Sequence, residues 1–486
     1  MEVDKFNQLI DKAVAESNTS KYLTNQKLRA MSSEKKSLSL FDSTAIIIGS
    51  MIGSGIFIVS AEIARQVQTP GMLLLAWIVT AVITIFGALS YGELAAAMPK
   101  AGGQYIYLKE AYGPMYGFLY GWTLFSVIQT GTIAAVGVAF AKFTGVFFPV
   151  ISGDNYIFHL ASFHISTQQL LAIGIIIALT LYNYNDVKTG AILQNIFTVS
   201  KVIALLLLVI LGIYFGAKGA GNWSNFSPAF PDVITLTTIG IFGAAMTGSL
   251  FSADAWNNIT YTAGEVHNPQ RNLPLSLFIG TGTVMILYLL ANFAYIYVLP
   301  IDKIQHAEND RVATLLMETV LGSNGKFFMA LMIMISTFGC LNGLILTAAR
   351  VYYAMAKDGL FLPKAAKLNK NNVPANSLTM QCIWSCLLCF SGTYGDLLNY
   401  IMFAVMLFYV LTITGLFILR KKKPNMERPY KAFGYPVIPF IYILMAALVA
   451  LNMLIYQTSS SLYGLIIILI GIPIYFIFKT KKVQES

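Results

Sequence analysis

The feature that most constrains this 486-residue chain is a succession of apolar runs, each roughly 20 or more residues long, that covers nearly its whole length. A run of that length crosses a hydrocarbon core of about 30 Å as a helix, and within lipid the backbone must satisfy its own polar groups. Only 11% of the residues are charged and 56% are hydrophobic, against about 25% charged in an average soluble domain, so a soluble globular fold is excluded. The runs lack the period-2 alternation of outer-membrane barrel strands. The fold class they predict is an all-α, polytopic membrane protein.

Twelve transmembrane helices are expected, near 41–66, 71–98, 114–146, 166–184, 191–216, 234–263, 274–299, 327–357, 376–394, 397–420, 437–457 and 459–480. An even number puts both termini on one side. Of the 32 Lys and Arg, 24 fall in the N-terminal tail, the even-to-odd loops and the C-terminal tail; the opposite side holds Arg65, Lys218, Lys303, Arg311 and Lys326. The positive-inside rule therefore predicts a multi-pass protein with N- and C-termini in the cytoplasm. The formal charge of +10 is thus a topology signal, and no nucleic acid partner is expected. The predicted divisions are a tail at 1–40 without a cleavable signal peptide, ten core spans over 41–420, a basic loop at 421–436, peripheral spans over 437–480 and a tail at 481–486. The cluster Arg420–Lys423 with Arg428 and Lys431 reads as an anchor to anionic lipid of the bilayer. Cys340, Cys382, Cys386 and Cys389 lie in apolar runs and read as small packing residues. His159, His164, His267 and His306 lie in connecting segments without metal-site spacing, and no Walker A run is present, so no metal and no cofactor are expected.

Two spans look interrupted. The first carries Gly49, Gly53 and Gly55, where glycine lets the backbone leave α geometry. The sixth carries Gly248, Ser249, Ser252 and Asp254 in Phe251-Ser-Ala-Asp-Ala-Trp256. Interruptions five spans apart point to a substrate site between inverted repeats, here about 41–216 and 234–420. A ligand with an α-carboxylate and an α-ammonium suits such a place: the amides of Gly53, Ser54 and Gly55, after Ile52, would take the carboxylate, and carbonyls of both breaks the ammonium. The alternative is that Gly49 and Gly53 only permit close helix packing.

Lys201 sits in mid-span, where an ammonium must face the protein interior. It is expected to bond carbonyls near Gly49 and Ser50 and hydroxyls near Ser336 and Thr337; a purely structural tether is the other reading. Asp254 either receives the ammonium, pairs internally or gates access, and Trp256 either walls the cavity or packs in the core. Asn342 reads as an interhelical hydrogen bond, and Glu62, Glu93 and Arg350 as pairs at span ends.

Three motifs occur in order: Ile52-Gly-Ser-Gly-Ile-Phe57; Glu93-Leu-Ala-Ala-Ala-Met-Pro-Lys-Ala-Gly-Gly103, leading to Tyr105-Ile-Tyr-Leu-Lys-Glu-Ala-Tyr-Gly-Pro114; and Glu265-Val-His-Asn-Pro-Gln-Arg-Asn-Leu-Pro274. On these the chain resembles the amino acid/polyamine/organocation (APC) permeases, and most closely bacterial relatives of the L-type amino acid transporters, over about residues 41–480. The resemblance implies a LeuT-type 5+5 inverted repeat with broken helices 1 and 6, alternating access, and substrate-binding at Ile52, Gly53, Ser54, Gly55, Phe251, Ser252, Ala253, Asp254 and Trp256. Lys201 matches the family's span-5 lysine, which implies sodium-independent transport of L-amino acids in the plasma membrane, with exchange as the usual mode and proton-coupled symport as the alternative. Ala253 and Ala255 depart from a relatives' pattern that reads Phe-Ala-Tyr-Asp-Gly-Trp. Residues 147–165 lack the cysteine that joins animal members to a glycoprotein, so no disulfide-linked heavy subunit is expected. A sensor without transport and an intramembrane enzyme find no support: the N-terminal tail is short, and no span carries a histidine.

Overall fold

The computed structural model describes residues 38–100, 102–160, 163–184, 187–371, 373–391 and 394–484. The expected tail 1–40 therefore lies almost wholly outside the described residues. Local chemistry sets where helices begin. Ser39 and Asp42 form a reciprocal capping box that opens α1 (Leu40–Met51), and a proline occupies the first turn of α3 (Pro70–Ala97), where its missing N–H costs nothing. After Met51 the chain leaves helical geometry for three residues, and α2 (Gly55–Val67) continues at a bend of 40°.

Beyond α3 the chain forms α4 (Gln104–Tyr112), then α5 (Pro114–Thr123) and α6 (Gln129–Thr144), which are joined through a π-helical turn at Leu124–Ile128 into one long span. A two-stranded antiparallel hairpin, β1 (Tyr156–Leu160) with β2 (Phe163–Ser166), follows in the loop. It is an exception to the all-α expectation: the segment is too short to cross lipid as a helix, and pairing its strands satisfies backbone groups that a helix would otherwise satisfy. Next come α7 (Thr167–Tyr182), α8 (Val187–Phe215) and α9 (Leu236–Ser252), which passes at Ala253–Ala255 into a 3₁₀ segment, Trp256–Glu265.

The rest of the chain forms α10 (Pro269–Val298), the short α11 (Ile301–Gln305) and α12 (Val312–Leu321), then α13 (Ser323–Lys357), α14 (Ala375–Leu388), α15 (Tyr394–Lys422), α16 (Val437–Tyr456) and α17 (Thr458–Gln484). Among the described residues nine helical segments are long and apolar enough to cross a membrane, and the bent pair α1–α2 makes a tenth. The two remaining expected spans are α7 and α14, of 16 and 14 residues, or about 24 and 21 Å at 1.5 Å per residue. Buried side chains line the middle of α2, α3, α5, α10 and α13, whereas α16 and α17 keep most of their apolar surface outward, as lipid-facing helices do.

One face of the molecule is sealed by charge pairs. Glu93, 1% exposed, receives Arg420 and Arg428 as well as the amide of Ala432, and the Arg420 guanidinium lies 3.5 Å from the Tyr435 ring centroid. Lys423 pairs with Glu110, and Lys422 donates to the Ala111 carbonyl. This corrects the lipid-anchor reading for Arg420 and Arg428: a buried carboxylate demands compensation, and these two cations supply it. Arg350 pairs with Glu265, Lys109 with Asp358, and Leu38 makes a parallel β-bridge to Val266 on the same face.

Candidate functional site

The two interruptions meet at the centre of the molecule. Gly55 approaches Ser252 so closely that a Cβ there would lie 2.1 Å from the Ser252 hydroxyl, which is why only glycine fits. Four carbonyls freed by the end of α1 are met by side chains from elsewhere, as buried backbone acceptors require. Lys201 of α8 donates from Nζ to Gly49 O at 2.6 Å, and Cys340 of α13 points its thiol at Ser50 O, 3.5 Å away. Tyr288 of α10 bonds Met51 O at 2.9 Å, and Ser336 lies 3.4 Å from Ile52 O.

Lys201 is fully buried, and its bond to Gly49 matches the expectation for that residue. The hydroxyl partners do not. Thr337 bonds Ile333 O and Met334 O of its own helix, and Ser336 turns to the break itself. Cys340, read as packing, touches the break directly.

The second break is held differently. Ala253 and Asp254 donate back to Ser249 O and Phe251 O, and Ala255 takes a left-handed conformation, φ 66°, that turns the chain into its 3₁₀ segment. Asp254 accepts a hydrogen bond of 2.6 Å from the Tyr409 hydroxyl of α15. Beyond it Asn257 donates to Gln104, which donates in turn to Thr412, and Tyr120 bonds Tyr261, so this side of the break is a closed polar network.

Between the breaks lies a cavity of about 20 Å³, walled by Ser50, Gly53, Ser54, Gly55, Phe251, Ser252 and Asp254 together with Met51, Thr132 and Leu344. That volume admits one water, so a larger ligand must part the walls. Of the predicted substrate-binding residues, Ile52, Ala253 and Trp256 do not line it. Ile52 and Ala253 are buried behind it, and Trp256 packs edge-on to Tyr91 at 5.0 Å and against Tyr409 at 5.3 Å. A second cavity of about 20 Å³ shares Asp254 and lies among Gln104, Asn258, Tyr261 and Tyr409.

The face opposite the charge pairs carries a vestibule of about 820 Å³. Its walls include Ile58 and Val59 of α2 and Ala244, Ala245 and Gly248 of α9, one to two turns beyond the breaks. At its rim Asp310 joins Arg65 at 2.8 Å and Lys142 at 3.2 Å. Burial pushes the Asp310 carboxyl up, but the Lys142 ammonium and Arg65 guanidinium outweigh it and hold the group below the ordinary carboxylate range.

Sequence reasoning missed Tyr288, Tyr409 and the Gln104–Asn257 pair. For α10 a signal was present: Tyr288, Asn292 and Tyr295 recur at i, i+4 and i+7, one face of a helix. That face bonds Met51 O, the Ser60 hydroxyl and Ile56 O, and so runs along both halves of the first span. Asn342, read as structural, accepts from Asn183 at 2.8 Å.

Two broken helices meeting at a buried polar centre, with a vestibule on one face and charge pairs across the other, are the arrangement of a multi-pass membrane carrier of small polar solutes. The model of the family described as amino acid permease matches residues 38–478. The chain is similar to the b(0,+)-type amino acid transporter 1 of Mus musculus, 31% identical over 457 residues, covering 92% of this chain and 89% of that protein. It is also similar to the large neutral amino acids transporter small subunit 2 of Homo sapiens, 32% identical over 445 residues, covering 91% and 80%. The chain belongs to the amino acid permease family, and it is a transporter of amino acids rather than an enzyme.

Proposed function

We propose that this permease is a sodium-independent exchanger of neutral L-amino acids that works by alternating access. The observation that carries the reading is the buried Lys201 ammonium bonded to Gly49 O at the break of the first span. A fixed cation already stands at the carbonyls that a sodium ion would need, so coupling to sodium has no place there. In this reading Gly53, Ser54 and Gly55 take the substrate carboxylate at the N-terminal end of α2. Carbonyls of both breaks take its ammonium, Asp254 and Phe251 border the side chain, and Gly49, Ser50, Lys201 and Ser336 serve the conformational change.

Twelve spans on a 5+5 inverted repeat accompany this reading, with α7 and α14 as the short fourth and ninth. Packing supports it: α2 lies on α9, α3 on α10, α6 on α13 and α7 on α14, each pairing five spans apart. The Lys and Arg distribution supports cytoplasmic termini, and a plasma membrane location goes with the same reading. The absence of cysteine from residues 147–165 supports action without a disulfide-linked subunit, although one relative carries "small subunit" in its name.

The test is uptake of a labelled amino acid panel into proteoliposomes, empty or preloaded with unlabelled amino acid, under separate sodium and pH gradients. Exchange requires internal amino acid and ignores both gradients. Concentrative uptake into empty vesicles with acid outside would replace the exchange reading with proton symport.

A further inference from the structure

Beside the vestibule lies a smaller cavity of about 210 Å³ that neither break touches. It shares Lys142, Gln168 and Asn309 with the vestibule wall, and Glu308, Arg311 and Lys326 complete its polar lining. Three elements supply its cations: Lys142 stands at the end of α6, Arg311 in the segment just before α12, and Lys326 in the first turn of α13. Against these three the lining sets one carboxylate. Glu308 is 70% exposed and stands 3.8 Å from Arg311 and 3.5 Å from Lys326. Two further carboxylates lie outside the lining. Asp310 joins Lys142 at 3.2 Å but is already held by Arg65 at 2.8 Å, and Glu318 is 3.8 Å from Lys326.

Arg311 is the least compensated of the three cations. It is 8% exposed, its Nε is buried without a hydrogen-bond partner among the described residues, and Glu308 is its one ion pair there. Burial pulls its guanidinium below the ordinary arginine range, and Glu308 offsets only part of that. A buried charged donor left unmet is costly, so an acceptor belongs in this space. The cavity exceeds by more than tenfold the roughly 10–15 Å³ that one water needs, so it has room for more than a single solvent molecule.

We propose that this cavity is a binding site for a phosphate-sized oxyanion. The Arg311 guanidinium offers Nε and a terminal nitrogen as a planar fork that matches two oxygens of one anion, and Lys142 and Lys326 add compact charges from α6 and α13. A monatomic anion cannot use the fork. An oxyanion seated here ties the end of α6, the segment before α12 and the start of α13 together at the edge of the vestibule. The phosphate is either free or carried on a lipid headgroup. Apolar surface continues from the lining, since Phe148 and Val150 are exposed beside one wall and Phe327 beside another, with Phe147 packed on Phe327 at 5.6 Å. The site lies apart from the two breaks and does not depend on which solute the carrier moves.

Thermal unfolding of the full-length carrier, purified in an uncharged detergent, reads occupancy in two arms. One arm adds low-millimolar sodium phosphate, with sodium chloride at equal ionic strength as its control. The other adds phosphatidylglycerol to the micelles, with phosphatidylcholine as its control. The expected result is a saturable rise in the unfolding midpoint of about 2–4 °C over the control in at least one arm. A rise with inorganic phosphate assigns the site to the free anion, and a rise with phosphatidylglycerol alone assigns it to a lipid phosphate.

Arg311→Gln and Lys326→Gln should each abolish the rise. Lys303→Gln, which removes an equal charge from an exposed position on α11, should keep it. If Arg311→Gln does not fold, Lys326→Gln decides, because that side chain is 27% exposed and its loss leaves no buried charge. A rise of the same size in Lys326→Gln, or one that chloride and phosphatidylcholine match, is a general salt or lipid effect and would overturn the proposal. So would the absence of any rise in both arms.

Discussion

The two interrupted spans solve one problem by opposite means. At the first break the chain leaves α geometry, and its freed carbonyls are met by Lys201, Cys340, Tyr288 and Ser336, which come from three other helices. At the second break the backbone does much of the work itself, through local hydrogen bonds and a left-handed residue, with two side chains from outside, Tyr409 on Asp254 and Tyr288 on Ser252 O. A segment held by borrowed side chains moves when those helices move. A segment held by its own backbone keeps its turn and travels as a piece. The first break is thus the natural place for coupling between helices, and the second for a fixed wall of the cavity.

Replacing Lys201 is the harshest way to break this asymmetry. Lys201→Met keeps the volume but removes a charged hydrogen bond, worth about 1.5–3 kcal/mol. Exchange is expected to fall roughly 30-fold, which corresponds to about 2 kcal/mol, while the purified protein stays monodisperse. Loss of the folded carrier together with transport would return Lys201 to a tether. Counterflow of labelled substrate, read beside size-exclusion chromatography, separates the two.

Asp254 and Tyr409 test the other side. Tyr409→Phe leaves a buried carboxylate without its side-chain donor, and Asp254→Asn keeps an acceptor for the phenol while losing the charge. Transport should fall about tenfold in the first and roughly threefold in the second, following the greater cost of an unpaired buried charge than of a weakened bond. The reverse order would mean that the charge itself is needed, and that Asp254 serves the substrate more than the wall.

How much of this was legible in the chain follows the same division. Gly49, Gly53 and Gly55 announced the first break because backbone freedom is written in residue type, and Lys201 announced itself because an ammonium in mid-span has nowhere to go but inward. The helices that answer those groups are far away in sequence. Tyr288 is 237 residues from Met51 and Cys340 is 290 from Ser50, so their roles emerge only from packing. The same limit misassigned Arg420 and Arg428: a basic run beside a membrane resembles a lipid anchor until Glu93, 327 residues from Arg420, is seen to take both. Trp256 reads from sequence equally as a cavity wall or as core packing, and the Tyr91 and Tyr409 rings hold it aside in the core.

Ser336 probes how finely the first break is tuned. Its hydroxyl stands 3.4 and 3.5 Å from two successive carbonyls, long for an O–H donor, so each contact is weak. Ser336→Ala should slow exchange about twofold and leave the half-saturating concentration unchanged. A larger effect, approaching that of Lys201→Met, would show that the bond shortens in another conformation of the carrier, and that the break is held differently on the two sides of the cycle.

The smallest effect belongs to Ala255, whose φ of 66° places an L-residue in left-handed space. That geometry costs about 1–2 kcal/mol for a residue with a Cβ. Glycine would relieve it but adds roughly 0.4–1 kcal/mol of unfolded-chain entropy, so Ala255→Gly should change thermal stability by no more than about 1–2 °C, upward if at all. Its value lies in transport. If the second break is a fixed wall, loosening its one strained residue leaves exchange rate and substrate ranking alone, because the turn is already made. If the break instead winds and unwinds during the cycle, glycine lowers the barrier to that change, and exchange quickens while stability barely moves. Measuring both in one preparation decides whether the two breaks divide the labour or share it.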